Sequence, residues 1–493
     1  MRTYNSKEFF PATLGPDDTL YTYNALDTCL TAELIPALLP NLTEDTSRIY
    51  AFECALQGPV LDMTTRGVCI DLEKRAQLTS HYAKKVDQLQ SIVMRFGLEL
   101  WGRPLNVNSP KQMQEFFYGF CNVPPIFKFV KGERKIDTGR LALETLSRHF
   151  YLRPLCQTLL ALRDAQKSLG FLKSGVDPDG RFRSSYNIAG TDTGRFSSGK
   201  NPRGTGWNFQ NITEHLRSIF IADPGMKLGY CDLEQAESRG VALLSGDDAY
   251  WEACHAGDLH TLVTRLVWVD LEWTGDPKKD RALADRLFYR HFSRRDLAKR
   301  GGHGSNYYGK PSGLAKQLYM PTDVIERFQA AYFTAFPGIQ NWHREVAYTL
   351  QTEGILTTPF GRRRQFHGRL WDDATLRAAI AYLPQSLIVD IVNRGMLDVW
   401  RVPHVQILGQ VHDAVFFQYP EEREAEILPE VQACMAVPVH HRGKTLTIPS
   451  EMAVGWNFEK YSESNPDGMK KWKGGDDRQR TTEQKKSLLD YRF

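Results

Sequence analysis

No uninterrupted apolar stretch in the 493-residue chain approaches the roughly 20 residues that cross a bilayer, so no membrane-spanning segment is expected. The first residues lead into no apolar core, and no secretory signal is expected either. Cysteine is sparse and scattered: Cys29, Cys54, Cys69, Cys121, Cys156, Cys231, Cys254 and Cys434 form no Cys-x-x-Cys pair. That pattern argues against a disulfide framework and against structural zinc, and places the chain in a reducing, cytoplasmic compartment. Charge of one sign is also lacking. With 62 Lys+Arg against 58 Asp+Glu the formal net charge is only +4, so any affinity for nucleic acid must come from how cations are arranged. No internal repeat is visible.

What is present is ordinary for a folded protein: 42% hydrophobic and 24% charged residues, in a chain too long for one core. Helical spacing of apolar residues predicts helices over 71–96, 141–169 and 323–336, and a glycine-interrupted one over 285–317. The first two are expected to brace rather than to catalyse. Residues 227–233 read as a buried strand ending at an acid, and 405–419 as a hairpin whose tip is His412-Asp413. From 463 onward the composition turns polar and charged, which predicts a flexible tail.

Three constellations could carry chemistry. Asp232 and Asp413 both sit where apolar strands end. An ionised carboxylate among core-facing residues is unfavourable unless paired. Two such acids with cations between them suggest divalent ions bridging carboxylates and phosphate oxygens; a plain strand-end turn is the alternative for either alone. Arg295, Lys299, His303 and Tyr307 recur every fourth residue and form one stripe on a helix. The stripe suits a triphosphate at one end and a stacked base at the other, while a solvated face is the plainer alternative. Gly301, Gly302 and Gly304 would let a flat base approach that helix. Lastly, Gly/Ser/Arg turns at Arg195 and at Arg362-Arg363-Arg364, with Asn208, Gln210, Asn211 and Gln385, suit a sugar–phosphate backbone.

Taken in order, these segments resemble the family A DNA polymerases, the DNA polymerase I group. Asp232-Leu-Glu-Gln-Ala-Glu237-Ser-Arg239 resembles the first palm motif, residues 295–307 the fingers helix, and Gln410-Val-His412-Asp413 the second acidic motif. Thr193-Gly-Arg-Phe-Ser-Ser, Asn208-Phe-Gln-Asn-Ile and Pro359-Phe-Gly-Arg-Arg resemble template–primer contacts. The resemblance implies an α+β right-hand fold with an antiparallel palm sheet, helical fingers and a helical thumb. It implies dNTP addition to a primer 3′-OH with two Mg²⁺ on Asp232 and Asp413, Arg295 and Lys299 on the phosphates, and Lys299 also as proton donor to pyrophosphate. His303 would pack on the nucleotide where the family usually has Phe or Tyr. Tyr307 would lie near the templating base, with Tyr308 as the alternative. Glu237 would exclude the 2′-OH, and His412 would touch the new pair. Arg195, Asn208, Gln210, Asn211, Arg239, Arg362, Arg363, Gln385 and Gln410 would contact DNA. Ala414 stands where the family generally has a second acid, and Ala381 where it has a polar residue. Both motivate a second reading, a catalytically silent primer–template binding subunit of a replisome.

The implied division is an exonuclease remnant over 1–45, thumb over 46–175, palm over 176–245 and 340–463, fingers over 246–339, and a tail over 464–493. Tyr23 and Asp27 resemble the last motif of the family's proofreading domain, without the earlier acids in the residues before them. Lost proofreading, or a separate exonuclease polypeptide docking here, is expected. Such a two-gene arrangement suits a bacteriophage protein in its host's cytoplasm. Residues 485–493 resemble a terminal peptide that hooks a sliding clamp.

Overall fold

The computed structural model describes residues 16–474 apart from 131–132, 202 and 290–291. Helix α1 (Leu72–Trp101) begins where the Asp71 side chain accepts a hydrogen bond from the Lys74 amide, and ends at Gly102, whose φ of +73° is left-handed. It lies against α2 (Arg153–Leu172). Val86 and Val93 of α1 share a core with Leu155, Leu159 and Leu162 of α2 and with Phe116 and Phe117. Each such side chain contributes about 1.5–3 kcal/mol on burial. The helix expected over 141–169 is two, Arg140–Leu146 and α2, because the chain turns at 147–152 and restarts with Pro154 in the first turn of α2. This helical unit has its own core, separate from that of the sheet.

A second core surrounds one five-stranded antiparallel sheet. Its strands are β1 (Met226–Leu233), β2 (Gln406–Val411), β3 (Ala414–Pro420), β4 (Ser450–Gly455) and β5 (Lys470–Lys471), in the order β2-β3-β1-β4-β5. The expected hairpin is therefore β2–β3, and it pairs with β1 from Ala414 opposite Asp232 to Pro420 opposite Met226. Helices α3 (Ala236–Ser245), α4 (Leu259–Val267), α5 (Arg294–Asn306) and α6 (Thr322–Ala335) follow β1 in sequence. The long helix α7 (Asp373–Trp400) packs on α3 and contacts the sheet. By length and composition α7 is apolar enough to cross a membrane, but it is mostly buried inside the protein as a core helix.

Two boundaries differ from expectation. Helices Glu44–Ala55 and Gln57–Arg66, expected in the thumb, bury Phe52, Leu56, Val60 and Met63 in the core shared by the sheet and α7. Gly58 is the reason they fit: a Cβ there would stand 2.8 Å from the Trp400 ring. Residues 464–474, expected as flexible tail, fold back onto the sheet. β5 pairs with Ala453 and Val454, and the Asn457 and Asn465 side-chain amides hydrogen-bond each other at 2.8 and 3.1 Å. The polar composition there serves an edge strand and an amide clasp. The peptide 485–493 lies outside the described residues.

Candidate functional site

The two acids meet at the top of the sheet. Asp232 lies near the end of β1, level with Ala414 on one side and Glu451 on the other. Asp413 occupies the turn between β2 and β3, made by His412 at φ +57°, and its carbonyl accepts from the Leu233 amide at 3.3 Å. Burial, then the charge and hydrogen bonding of Asp413, then Glu451 push the Asp232 carboxyl up to about 7. Asp413 is also raised, chiefly by burial, with Glu237 adding repulsion and His412 and Arg195 opposing it. One oxygen of Asp232, Oδ1, is buried without a hydrogen-bond partner. Two crowded carboxylates with an orphaned oxygen are a pair that a cation satisfies. Among the described residues no three His, Cys, Asp or Glu side chains cluster to hold a metal. Mg²⁺, however, is commonly held by one or two carboxylates plus substrate phosphates, so the pair fits that ion. Glu451, which the sequence did not mark, adds a third acid beside Asp232, held by Lys471 Nζ at 2.5 Å.

Helix α5 is fixed at both ends. Ser293 and Asp296 form a capping box at its start. At its end Asn306 is buried, donating to Tyr250 Oη and accepting from Tyr332 Oη, both at 2.8 Å, while the ring nitrogen Nε2 of His343 bonds the Asn306 carbonyl at 2.8 Å. The glycines do not wait for a base. A Cβ on Gly301 would lie 2.8 Å from the Phe328 ring and one on Gly304 would lie 2.4 Å from Leu314, so they admit neighbouring helices to the buried face. His303 on the opposite side is exposed.

Glu237, in the first turn of α3, gathers the other expected residues. Tyr307 Oη donates to Glu237 Oε2 at 2.8 Å and Arg195 Nη2 donates to Oε1 at 2.9 Å. His303 Nδ1 stands 3.6 Å from Oε2, and the His303 and Tyr307 rings pack with centroids 4.7 Å apart. Burial first, then Glu237, raise the Tyr307 hydroxyl far above its usual value. Tyr308, at φ +59°, instead packs edge-on to His343 and takes a hydrogen bond from Lys310 at 3.1 Å. Only Tyr307 of the two reaches Glu237.

Arg295 and Lys299 lie on α5 with Lys299 exposed. Arg295 is engaged: its Nη2 and Nε donate to the two oxygens of Asp258 at 2.9 and 3.1 Å. Asp258 also caps α4, and the next residue but one, His260, has its pKa lowered to about 4 by burial and by Arg295 and Lys299. Sequence reasoning passed over Asp258 and His260; the only available signal was an acid just before a strongly amphipathic helix.

The residues expected on DNA divide. Arg195, Asn211, Arg363 and His412 are exposed, and Asn208, Gln210 and Gln385 are half-buried. Asn208 accepts from Ser198 at 2.8 Å, and the Arg195 turn is tied to α7 through Ser386 Oγ donating to the Thr193 carbonyl at 2.9 Å. Arg239, Arg362 and Gln410, also expected on DNA, are buried and engaged within the protein. Arg239 bonds the Glu234 carbonyl, and Gln410 donates to Asn393 at 3.0 Å. Arg362 ion-pairs with Asp390 at 2.7 Å and with Glu53. Tyr23 and Asp27 lie exposed on helix Pro16–Leu38, where hydrogen bonding to the Asp27 carboxylate and its charge raise the Tyr23 hydroxyl.

The profile of DNA polymerase family A matches residues 73–461, well over half the chain, and the chain belongs to that family. It is 27% identical to DNA polymerase I of Chloroflexus aurantiacus over 91% of this chain and 47% of that protein. It is 28% identical to the thermostable DNA polymerase I of Thermus filiformis over 88% of this chain and 51% of that protein. The chain thus spans about half the length of these curated relatives, which are bacterial. Among solved structures, the POL domain of Pol1 from M. smegmatis, in complex with DNA primer-template and dNTP, matches with a TM-score of 0.67 and 28% identity. That match covers 82% of this chain and 69% of that one.

Proposed function

We propose that the chain is a template-directed DNA polymerase that adds dNTPs to a primer 3′-OH. The observation that carries this is the crowded Asp232–Asp413 pair, with its orphaned oxygen, at the top of the sheet beside the Glu237–Tyr307–His303 cluster. Asp232 and Asp413 would hold two Mg²⁺, which when bound supply activation of the 3′-OH and neutralisation of the leaving pyrophosphate. The chain's own residues position the rest. Arg295 and Lys299 would bind the phosphates, and Lys299, exposed on α5, would pass a proton to pyrophosphate. Glu237, fixed by two hydrogen bonds, crowds the sugar 2′ position, while His303 and Tyr307 pack on the nucleotide and the templating base. Arg195, Asn208, Gln210, Asn211, Arg363, Gln385 and His412 remain surface or half-surface groups for primer and template.

Within this reading the chain on its own does not proofread, since Tyr23 and Asp27 supply one carboxylate where a two-metal nuclease needs several. A separate exonuclease polypeptide at helix Pro16–Leu38, and a sliding clamp at residues 485–493, belong to the same proposal. Primer extension with each dNTP, with and without template and Mg²⁺, tests it. Template-matched, Mg²⁺-dependent extension without 3′→5′ degradation of a mismatched primer is expected. Binding of primer–template with no extension would instead favour the silent binding subunit, for which Ala414 beside Asp232 is the motivating observation.

A further inference from the structure

Arg295 is not a free cation awaiting a phosphate. It lies on α5, yet its guanidinium is held by an acid 37 residues earlier in the chain, through Nη2 to Oδ1 at 2.9 Å and Nε to Oδ2 at 3.1 Å. Both partners are mostly shielded, with side-chain exposures of 20% for Arg295 and 28% for Asp258. Asp258 is itself fixed. It caps α4, accepting from the Thr261 amide at 3.2 Å and the Thr261 hydroxyl at 2.8 Å, and Arg281 Nε approaches it at 3.9 Å. A guanidinium has five N–H donors, and this grip uses only two. The others stay available on the same helix as Lys299.

We propose that Asp258 is a positioning residue for the triphosphate of the incoming nucleotide, presenting Arg295 in one orientation beside Lys299. The inference rests on the polymerase reading above. A planar fork clamped on one edge has little freedom left on the other, so phosphate binding loses less conformational entropy than it would with an unheld Arg. The same acid offsets the mutual repulsion of Arg295, Lys299 and Arg281 before substrate arrives. It sets the first turn of α4 as well, which carries His260 toward the same two cations.

Asn at a helix cap keeps the capping oxygen, so Asp258→Asn removes the charge while leaving α4 capped. The test is single-nucleotide incorporation by the full chain: kcat and KM for dNTP, with primer–template affinity and thermal stability measured alongside. The variants are Asp258→Asn, Arg295→Ala and the two together. Asp258→Asn is expected to raise KM about tenfold or more, with kcat changed less and DNA affinity unaltered. In the Arg295→Ala background the same change is expected to do nothing further, because Asp258 acts through Arg295. Three results would overturn the inference: an unchanged KM, an additive double variant, or a lowered KM, which would mean that the pair withholds Arg295. A wild-type chain that binds primer–template but never extends it would instead strike at the polymerase reading, and this inference would fall with it.

Discussion

Replacing the buried Arg362 is expected to cost stability before it costs DNA binding. Within an Arg triplet after Phe360-Gly361 it reads as a phosphate contact, yet it is 8% exposed and its partner Asp390 is 0% exposed. Arg362 Nη2 and Nε meet Asp390 at 2.7 and 3.0 Å, its Nη1 reaches Glu53, and its carbonyl accepts from Tyr382 Oη at 3.0 Å. Replacing Arg362 with Ala leaves the Asp390 carboxylate in the core beside Arg394, which carries a charge but makes no ion pair of its own with it. Removing one member of a buried pair typically costs about 3–5 kcal/mol, against about 0.5 kcal/mol for an ordinary surface change such as Arg363→Ala. Guanidinium unfolding of both variants checks the first figure against the second. Primer–template binding across a salt series supplies the other half, with the Arg362→Ala slope expected to match wild type at temperatures where it is folded. A double replacement, Arg362→Met with Asp390→Leu, is expected to recover much of the loss. Near-normal stability in Arg362→Ala, with weakened DNA binding and a salt slope shallower by about one, would refute the reasoning.

Other consequences are more local. Glu237→Ala removes the acceptor for Tyr307 and Arg195, and is expected to raise ribonucleotide incorporation relative to deoxynucleotide by about tenfold or more; an unchanged ratio would remove Glu237 from the sugar site. Native chain at pH 8 is expected to expose Cys29 and Cys54 to a thiol reagent, while Cys156, Cys231 and Cys254, pushed up to about 12 by burial, react only on unfolding. Burial lowers the His343 pKa below its ordinary 6.5, so the unfolded chain takes a proton that the folded chain refuses. Stability from this residue is full above pH 6.5 and falls as pH drops through the lowered value. His343→Gln, which can still donate to the Asn306 carbonyl, is expected to flatten that part of the stability–pH curve; an unaltered slope would contradict the assignment.

The sequence disclosed most where local pattern and long-range packing agree. An apolar run ending in Asp232, and a hairpin with Asp413 at its tip, become neighbours because antiparallel pairing aligns Ala414 with Asp232. The four-residue stripe of α5 puts Tyr307 on the side of Glu237, and Tyr308, itself left-handed, turns away from it. Orientation in fully buried elements was not legible. β2 is buried on both faces, so alternation says nothing about where Gln410 points. Which arginine of three turns inward depends on Asp390 and Glu53, both distant in sequence. The glycines of α5, expected to admit a flat base, instead admit Phe328 and Leu314. Asp258 was missed because a lone acid before a helix announces only a cap. The polar composition of 464–474 concealed an edge strand that needs few apolar residues.

The central claim is that Asp232 and Asp413 act as one ion-holding site for nucleotidyl transfer. Single-turnover incorporation of one dNTP by Asp232→Asn and Asp413→Asn, at matched primer–template occupancy, tests it most directly. The account predicts that each variant binds the duplex normally, yet loses at least about a thousandfold in rate, with the double variant little worse than either alone. Incorporation near the wild-type rate in either single variant would contradict it.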